Sequence, residues 1–139
     1  MKGWIACAFI VATASMAAGQ MAKLAITSDA DYSTTMKDVS AQNGALRKAL
    51  TSASEADVTA AAAKLETDFK NVQAYWEDKK VDDASGFAKS AVAAVQTISK
   101  AAAAHDLAAA SAALPQLAGQ CGSCHMAHRA GAAGAFTIK

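Results

Sequence analysis

The stretch VTAAAAKLETDFKNVQAYW, residues 58–76, places Val58, Ala62, Leu65, Phe69, Val72 and Trp76 at alternating steps of four and three. On an α-helix that spacing gathers all six side chains into one stripe, whereas on a strand it would scatter them over both faces. A helix with one long apolar stripe is stable only when the stripe is covered by other helices. Ser54 and Asp57 resemble a capping arrangement at its start, and Lys79 and Lys80 suit its end, where the helix dipole favours positive charge.

Working outward, the same period recurs on both sides. Upstream, Tyr32, Met36, Val39, Asn43, Leu46 and Leu50 fall on one face of a helix over about residues 30–51, with Asp29 or Asp31 as the expected N-cap. Downstream, Asp82 or Asp83 can cap a third helix that turns Phe87, Ala91, Val95, Ile98 and Ala102 inward and stops near His105. Asp106 then caps a fourth stretch whose inward stripe continues through Leu107, Leu114, Leu117, Cys121, Cys124 and His128. Pro115 lacks a donor and crowds the carbonyl of Ser111, so a kink or restart is expected there. The tail from Gly131 to Lys139 is mostly glycine and alanine and is expected to fray. With a single proline in 139 residues and good helix formers nearly throughout, the fold class is all-α. Four helices of about 20 residues joined by short polar turns predict an antiparallel, up-down-up-down four-helix bundle.

The N-terminus reads differently. Lys2 precedes an uncharged, largely apolar run from Trp4 to Ala18, and Ala17 and Gly19 occupy the small-residue positions of a cleavage site. Residues 1–19 are therefore expected to be a signal peptide, and residues 20–139 the folded domain. The run falls short of the roughly 20 residues that span a bilayer, so no membrane span is expected after cleavage. Cys7 leaves with the leader. Removing Lys2 from the 13 basic residues leaves 12 against 12 acidic ones, which argues against nucleic acid as a partner. Export implies an oxidising, periplasmic setting.

Two of the three cysteines and two of the three histidines are held back for one short segment, QCGSCHMAHR at residues 120–129. Cys121, Cys124 and His125 are at positions i, i+3 and i+4, hence on one helical face. C-x-x-C-H is the attachment pattern of c-type haem: the two thiols add across the vinyl groups as thioethers and the imidazole reaches the iron. Two other readings compete. A redox disulfide between the cysteines wants a βαβ setting that the pattern lacks. Zinc held by Cys121, Cys124, His125 and His128 would need four ligands from one helical segment to surround the metal tetrahedrally.

A four-helix bundle with its C-x-x-C-H near the C-terminus resembles the class II c-type cytochromes, that is, cytochrome c-prime and its methionine-ligated low-spin relatives. The similarity runs over about residues 30–130. It also draws on MKDVSAQNGALRKAL at 36–50 and on CGSCHMAHR at 121–129, where Arg129 follows the ligand histidine by four positions. The resemblance implies one covalent haem c and His125 as proximal iron ligand. Met36 matches the distal ligand of the low-spin members, although that residue also belongs to the ordinary apolar stripe. Tyr32 stands where these proteins often carry arginine, so the distal pocket is expected to differ. Trp76 and Phe69 can pack against a porphyrin as well as against a core, and Arg129 can approach the propionates or simply face water. His128 is expected to pack near the surface and His105 to serve at a helix junction.

The function expected is periplasmic one-electron transfer with redox partner proteins. No acid–base pair or nucleophile triad points to an enzyme. The alternatives are a five-coordinate haem protein that binds small gases such as NO or CO, and a non-haem exported bundle with a redox disulfide. An alanine-rich outer face on the first two helices would also suit a homodimer, as in similar proteins.

Overall fold

A computed structural model describes residues 25–133 and 135–139 of the chain. The expected leader at residues 1–19, with Cys7, lies outside them. The described residues are helical almost throughout: α1 is Asp29–Thr51, α2 Glu55–Asp78, α3 Asp82–Ala103, α4 Leu107–Ala112 and α5 Leu114–His128, followed by β1, Arg129–Ala130, and β2, Thr137–Ile138. The all-α class thus follows from the periodicity. Among the described residues no helix is long and apolar enough to cross a membrane.

Local chemistry sets the helix boundaries. Ser28 caps α1, and not Asp29 or Asp31, because its hydroxyl accepts from the Asp31 amide at 3.1 Å. That leaves the Asp31 carboxylate to accept from the Thr27 amide and hydroxyl at 3.1 and 2.8 Å. Ser54 precedes α2 but donates its hydroxyl to Asp57 at 2.7 Å and caps no backbone amide. Val81 is the N-cap of α3, with Asp82 and Asp83 inside the first turn, where negative charge faces the positive end of the dipole. Asp106 caps α4 as its sequence position predicts, accepting from the Ala109 amide at 2.8 Å. Pro115 produces a restart: α4 ends at Ala112, and α5 begins with the proline in its first turn, where its missing donor costs nothing.

The three connections from α1 to α4 share one geometry. Ala53, Lys80 and His105 have φ of 52°, 57° and 59°. In each case the following amide reaches back to the third-last helical carbonyl: Ser54 to Ala49, Val81 to Trp76 and Asp106 to Ala101, at 3.0, 3.0 and 2.9 Å. These are Schellman motifs built without glycine. Each connection takes three residues.

Packing follows the stripes. α1 packs on α2, α2 on α3, and α3 on both α4 and α5. Leu46, Val58, Leu65, Val95 and Ile98 are fully buried in the main core, with Leu117 just behind them. Alanines at 61, 62, 91 and 94 let the backbones of α2 and α3 approach closely. Side chains link neighbouring helices. Tyr75 donates to Asp29 at 2.8 Å, Gln96 donates to Glu66 at 2.9 Å, and His105 meets Glu55 at 2.7 Å. A second cluster of Ile26, Val72, Tyr75, Trp76, Ala84 and Ala88 fills the end of the molecule where α1 begins.

The tail departs from the fraying expected of it. Arg129 pairs with Ile138 and Ala130 with Thr137 in a short antiparallel ladder. The Lys139 amide donates to the His128 carbonyl at 2.9 Å, and its ammonium reaches the Met126 carbonyl at 3.0 Å. Ile138 packs on the second cluster, and the Arg129 guanidinium lies 4.1 Å from the centre of the Phe136 ring. Two apolar side chains in an otherwise bland segment are enough to fold it back.

Candidate functional site

α5 buries Leu117 but leaves the rest of its inward stripe uncovered. Cys121, Cys124, His125 and His128 are all half-buried, and they face a cavity of about 630 Å³. α1 forms the opposite wall with Tyr32, Met36 and Asn43. Phe69 and Val72 of α2 and Phe87 of α3 close the depth of the cavity, and Phe136 to Ile138 of the tail line its rim. The fold therefore brings Met36, Cys121, Cys124 and His125 to one space, although 85 residues separate the first pair in sequence.

The electrostatics are those of a sheltered, weakly charged site. Burial pushes the Cys121 thiol above its ordinary value, and burial together with the Cys121 neighbour does the same for Cys124. Both thiols are free and protonated at neutral pH. Burial, reinforced by the Arg129 guanidinium, pulls His125 below the usual imidazole range, so its ring is neutral and offers a lone pair. One buried polar atom in the cavity wall, Asn43 Oδ1, has no partner among the described residues. An orphaned acceptor in a cavity calls for a group from outside the chain.

The remaining candidates take other places. Trp76 is 2% exposed and does not line the cavity; it stands behind Tyr32, donating from Nε1 to the Tyr32 hydroxyl at 3.1 Å. Its part in the pocket is one step removed from the direct packing expected of it. His128 binds Asp83 at 2.9 Å and lies 5.3 Å from the Trp76 ring, and this partner holds the Asp83 carboxyl below the usual carboxylate range. His105 is exposed at the junction of α3 and α4 and does not line the cavity. Among the described residues no three His, Cys, Asp or Glu side chains converge as a metal cage, which leaves the four-ligand zinc reading without a geometry. A haem iron needs no such cage, since the porphyrin supplies four of its ligands.

Tyr32 lines the cavity, where the resemblance expects the pocket to differ, but its hydroxyl bond to Trp76 is not legible in the sequence. Three further residues contribute without having been expected there, Asp83, Phe136 and Ile138. Asp83 was read as a cap and acts instead as the anchor of His128. Phe136 and Ile138 carried a usable signal, because two apolar residues flanking Thr137 have the alternation of a short strand. Comparison of the chain with protein-family models, curated proteins and solved structures finds no match, so the reading of the site stands on its chemistry.

Proposed function

We propose that this chain carries one covalently attached haem c and passes single electrons between redox partner proteins in the periplasm. The observation that carries the reading is the opening of the C-x-x-C-H face of α5 onto the same cavity as Met36 of α1. The cavity volume lies within the range of cofactor sites, its walls are mainly apolar, and it contains an unpaired acceptor at Asn43. Cys121 and Cys124 would hold the haem through thioethers, and His125 and Met36 would bind its iron. Bound there, haem supplies a one-electron Fe(III)/Fe(II) couple, with the thioether ligand raising its potential.

The chain's own residues do the rest. Phe69 and Val72 exclude water from the inner wall of the cavity, and Ile138 closes the rim. Neutral His125 is in the protonation state that ligation requires. Protonated, half-buried thiols are poor redox-exchange nucleophiles, which speaks against a dithiol–disulfide role. The scaffold of the proposal is an antiparallel up-down-up-down bundle. It is supported by the end-to-start contacts Asp29 with Tyr75, Glu55 with His105 and Asp83 with His128, and by the short turns.

The test is intact-mass analysis and a visible spectrum of protein exported from a host with haem-attachment machinery. A mass increased by one haem and a low-spin spectrum with a sulfur-to-iron charge-transfer band are expected; bare polypeptide mass beside a fully loaded control cytochrome overturns the reading. Met36→Ala should convert the iron to high spin. An unchanged spectrum removes Met36 from the iron, and a high-spin spectrum already in the unsubstituted protein favours the gas-binding alternative.

A further inference from the structure

Tyr32, Tyr75 and Trp76 form a cluster of three rings in mutual contact. Their centroids lie 4.8 Å apart for Tyr32 and Tyr75, 5.6 Å for Tyr32 and Trp76, and 5.2 Å for Tyr75 and Trp76. The cluster starts at the cavity, where Tyr32 is part of the wall and Met36 packs against the rings. Phenol and indole are among the side chains that give up a single electron most readily, and rings in contact pass the resulting hole between them. Where the hole settles depends on proton chemistry, because an oxidised phenol or indole is a strong acid and is stabilised only when a base within hydrogen-bond reach takes its proton. The three rings differ in this respect. The Trp76 indole N–H donates to the Tyr32 hydroxyl at 3.1 Å, and a neutral phenol is a poor base. The Tyr32 hydroxyl proton itself meets no acceptor among the described residues. Tyr75 alone donates to a carboxylate, that of Asp29 at 2.8 Å, and Asp29 is exposed, so a proton received there can pass on to water. The Lys79 ammonium lies 4.8 Å from the centre of the Tyr75 ring and penalises positive charge on it, so oxidation of Tyr75 has to expel the proton. Burial and the Asp29 carboxylate push the Tyr75 phenol above its ordinary range, which keeps the proton in place until the electron leaves.

We propose that the three rings draw oxidising equivalents away from the cavity and that Tyr75, with Asp29 as its base, is where they settle. A diffusible one-electron oxidant such as the carbonate radical anion takes one electron from the cluster and leaves as carbonate. Tyr75 then passes its phenolic proton to the Asp29 carboxylate, which gives a neutral phenoxyl radical and a carboxylic acid. Met36, whose thioether is itself open to oxidation, is spared. The proposal goes beyond the haem reading and does not depend on it, since no step passes through iron.

The probe is carbonate radical anion generated by photolysis in the presence of the exported protein, with any haem in its oxidised state, followed by freeze-trapping for electron paramagnetic resonance and by peptide mass mapping. The chain has two tyrosines, so one substitution assigns the radical. A neutral tyrosyl signal is expected in the unsubstituted protein, lost in Tyr75→Phe and strongly diminished in Asp29→Asn, which keeps an acceptor oxygen but no base. In both variants Met36 sulfoxide should rise. Asp29→Asn leaves every ring in place, so it carries the test by itself should Tyr75→Phe fail to fold. No tyrosyl signal in the unsubstituted protein, a signal that survives Tyr75→Phe, full strength in Asp29→Asn, or unchanged Met36 oxidation in the variants overturns the proposal. Bare polypeptide mass refutes haem attachment but leaves these readouts intact, so the two failures are told apart.

Discussion

Ala53 is an exposed residue held at φ 52°, in the left-handed region that costs a side-chain-bearing residue about 1–2 kcal/mol. Glycine would relieve that strain while losing part of the gain to its freer unfolded state. Ala53→Gly should therefore raise the unfolding free energy by about 0.5–1 kcal/mol, seen as a higher urea midpoint with an unchanged slope; a lower midpoint would show that the turn is not strained. Residues of this kind were invisible in the sequence, because alanine, lysine and histidine carry none of the signal that glycine gives at such a position. The grouping of Cys121, Cys124 and His125 was legible, since their spacing alone puts all three on one face of a helix. Met36 was legible as a stripe position and, through the family resemblance, as a candidate iron ligand, and the fold brings it to the same cavity as Cys124.

Among the elements, the helices were readable to within a residue or two because each carries an unbroken apolar period and a polar residue near its start. Their caps were not: whether Ser28 or Asp29 closes α1 depends on which oxygen reaches the Asp31 amide, and period alone does not say. The break between α4 and α5 was foreseeable from the ring of Pro115. The paired tail was missed because its composition is dominated by alanine and glycine, and two apolar residues decide its course. That pairing turns at Gly131, φ 84°, where an added Cβ would run into the Ala135 carbonyl. Gly131→Ala should undock the tail at a cost of about 1–3 kcal/mol while leaving the helices intact. The check is faster hydrogen exchange at the Lys139 amide with an unchanged far-ultraviolet spectrum; preserved protection at Lys139 would refute it.

Across the whole molecule, carboxylates held below their ordinary range set the response to acid. Asp31 is lowered by the hydrogen bonds of Thr27 and Ser28, Glu66 by those of Lys70 and Gln96, and Asp83 by that of His128. Each has a folded value below its unfolded one, so its contribution is fully present above the ordinary carboxylate range, near pH 4, and is lost as pH falls through the folded value. Asp68, raised by burial and then by Asp38, works in the opposite direction. With three groups against one, the melting temperature should fall between about pH 5 and pH 2, and Glu66→Gln with Asp83→Asn should flatten the fall; a melting temperature that holds or rises on acidification would contradict this balance. The three reversals at Ala53, Lys80 and His105 also bear on how the protein can be handled. Each spends all of its residues on backbone bonds that close one helix and open the next. Between Ser28 and His128 the chain therefore offers a nicking protease no slack to seize and a grafted epitope no loop to enter, so reporters and cleavage sites belong beyond its ends.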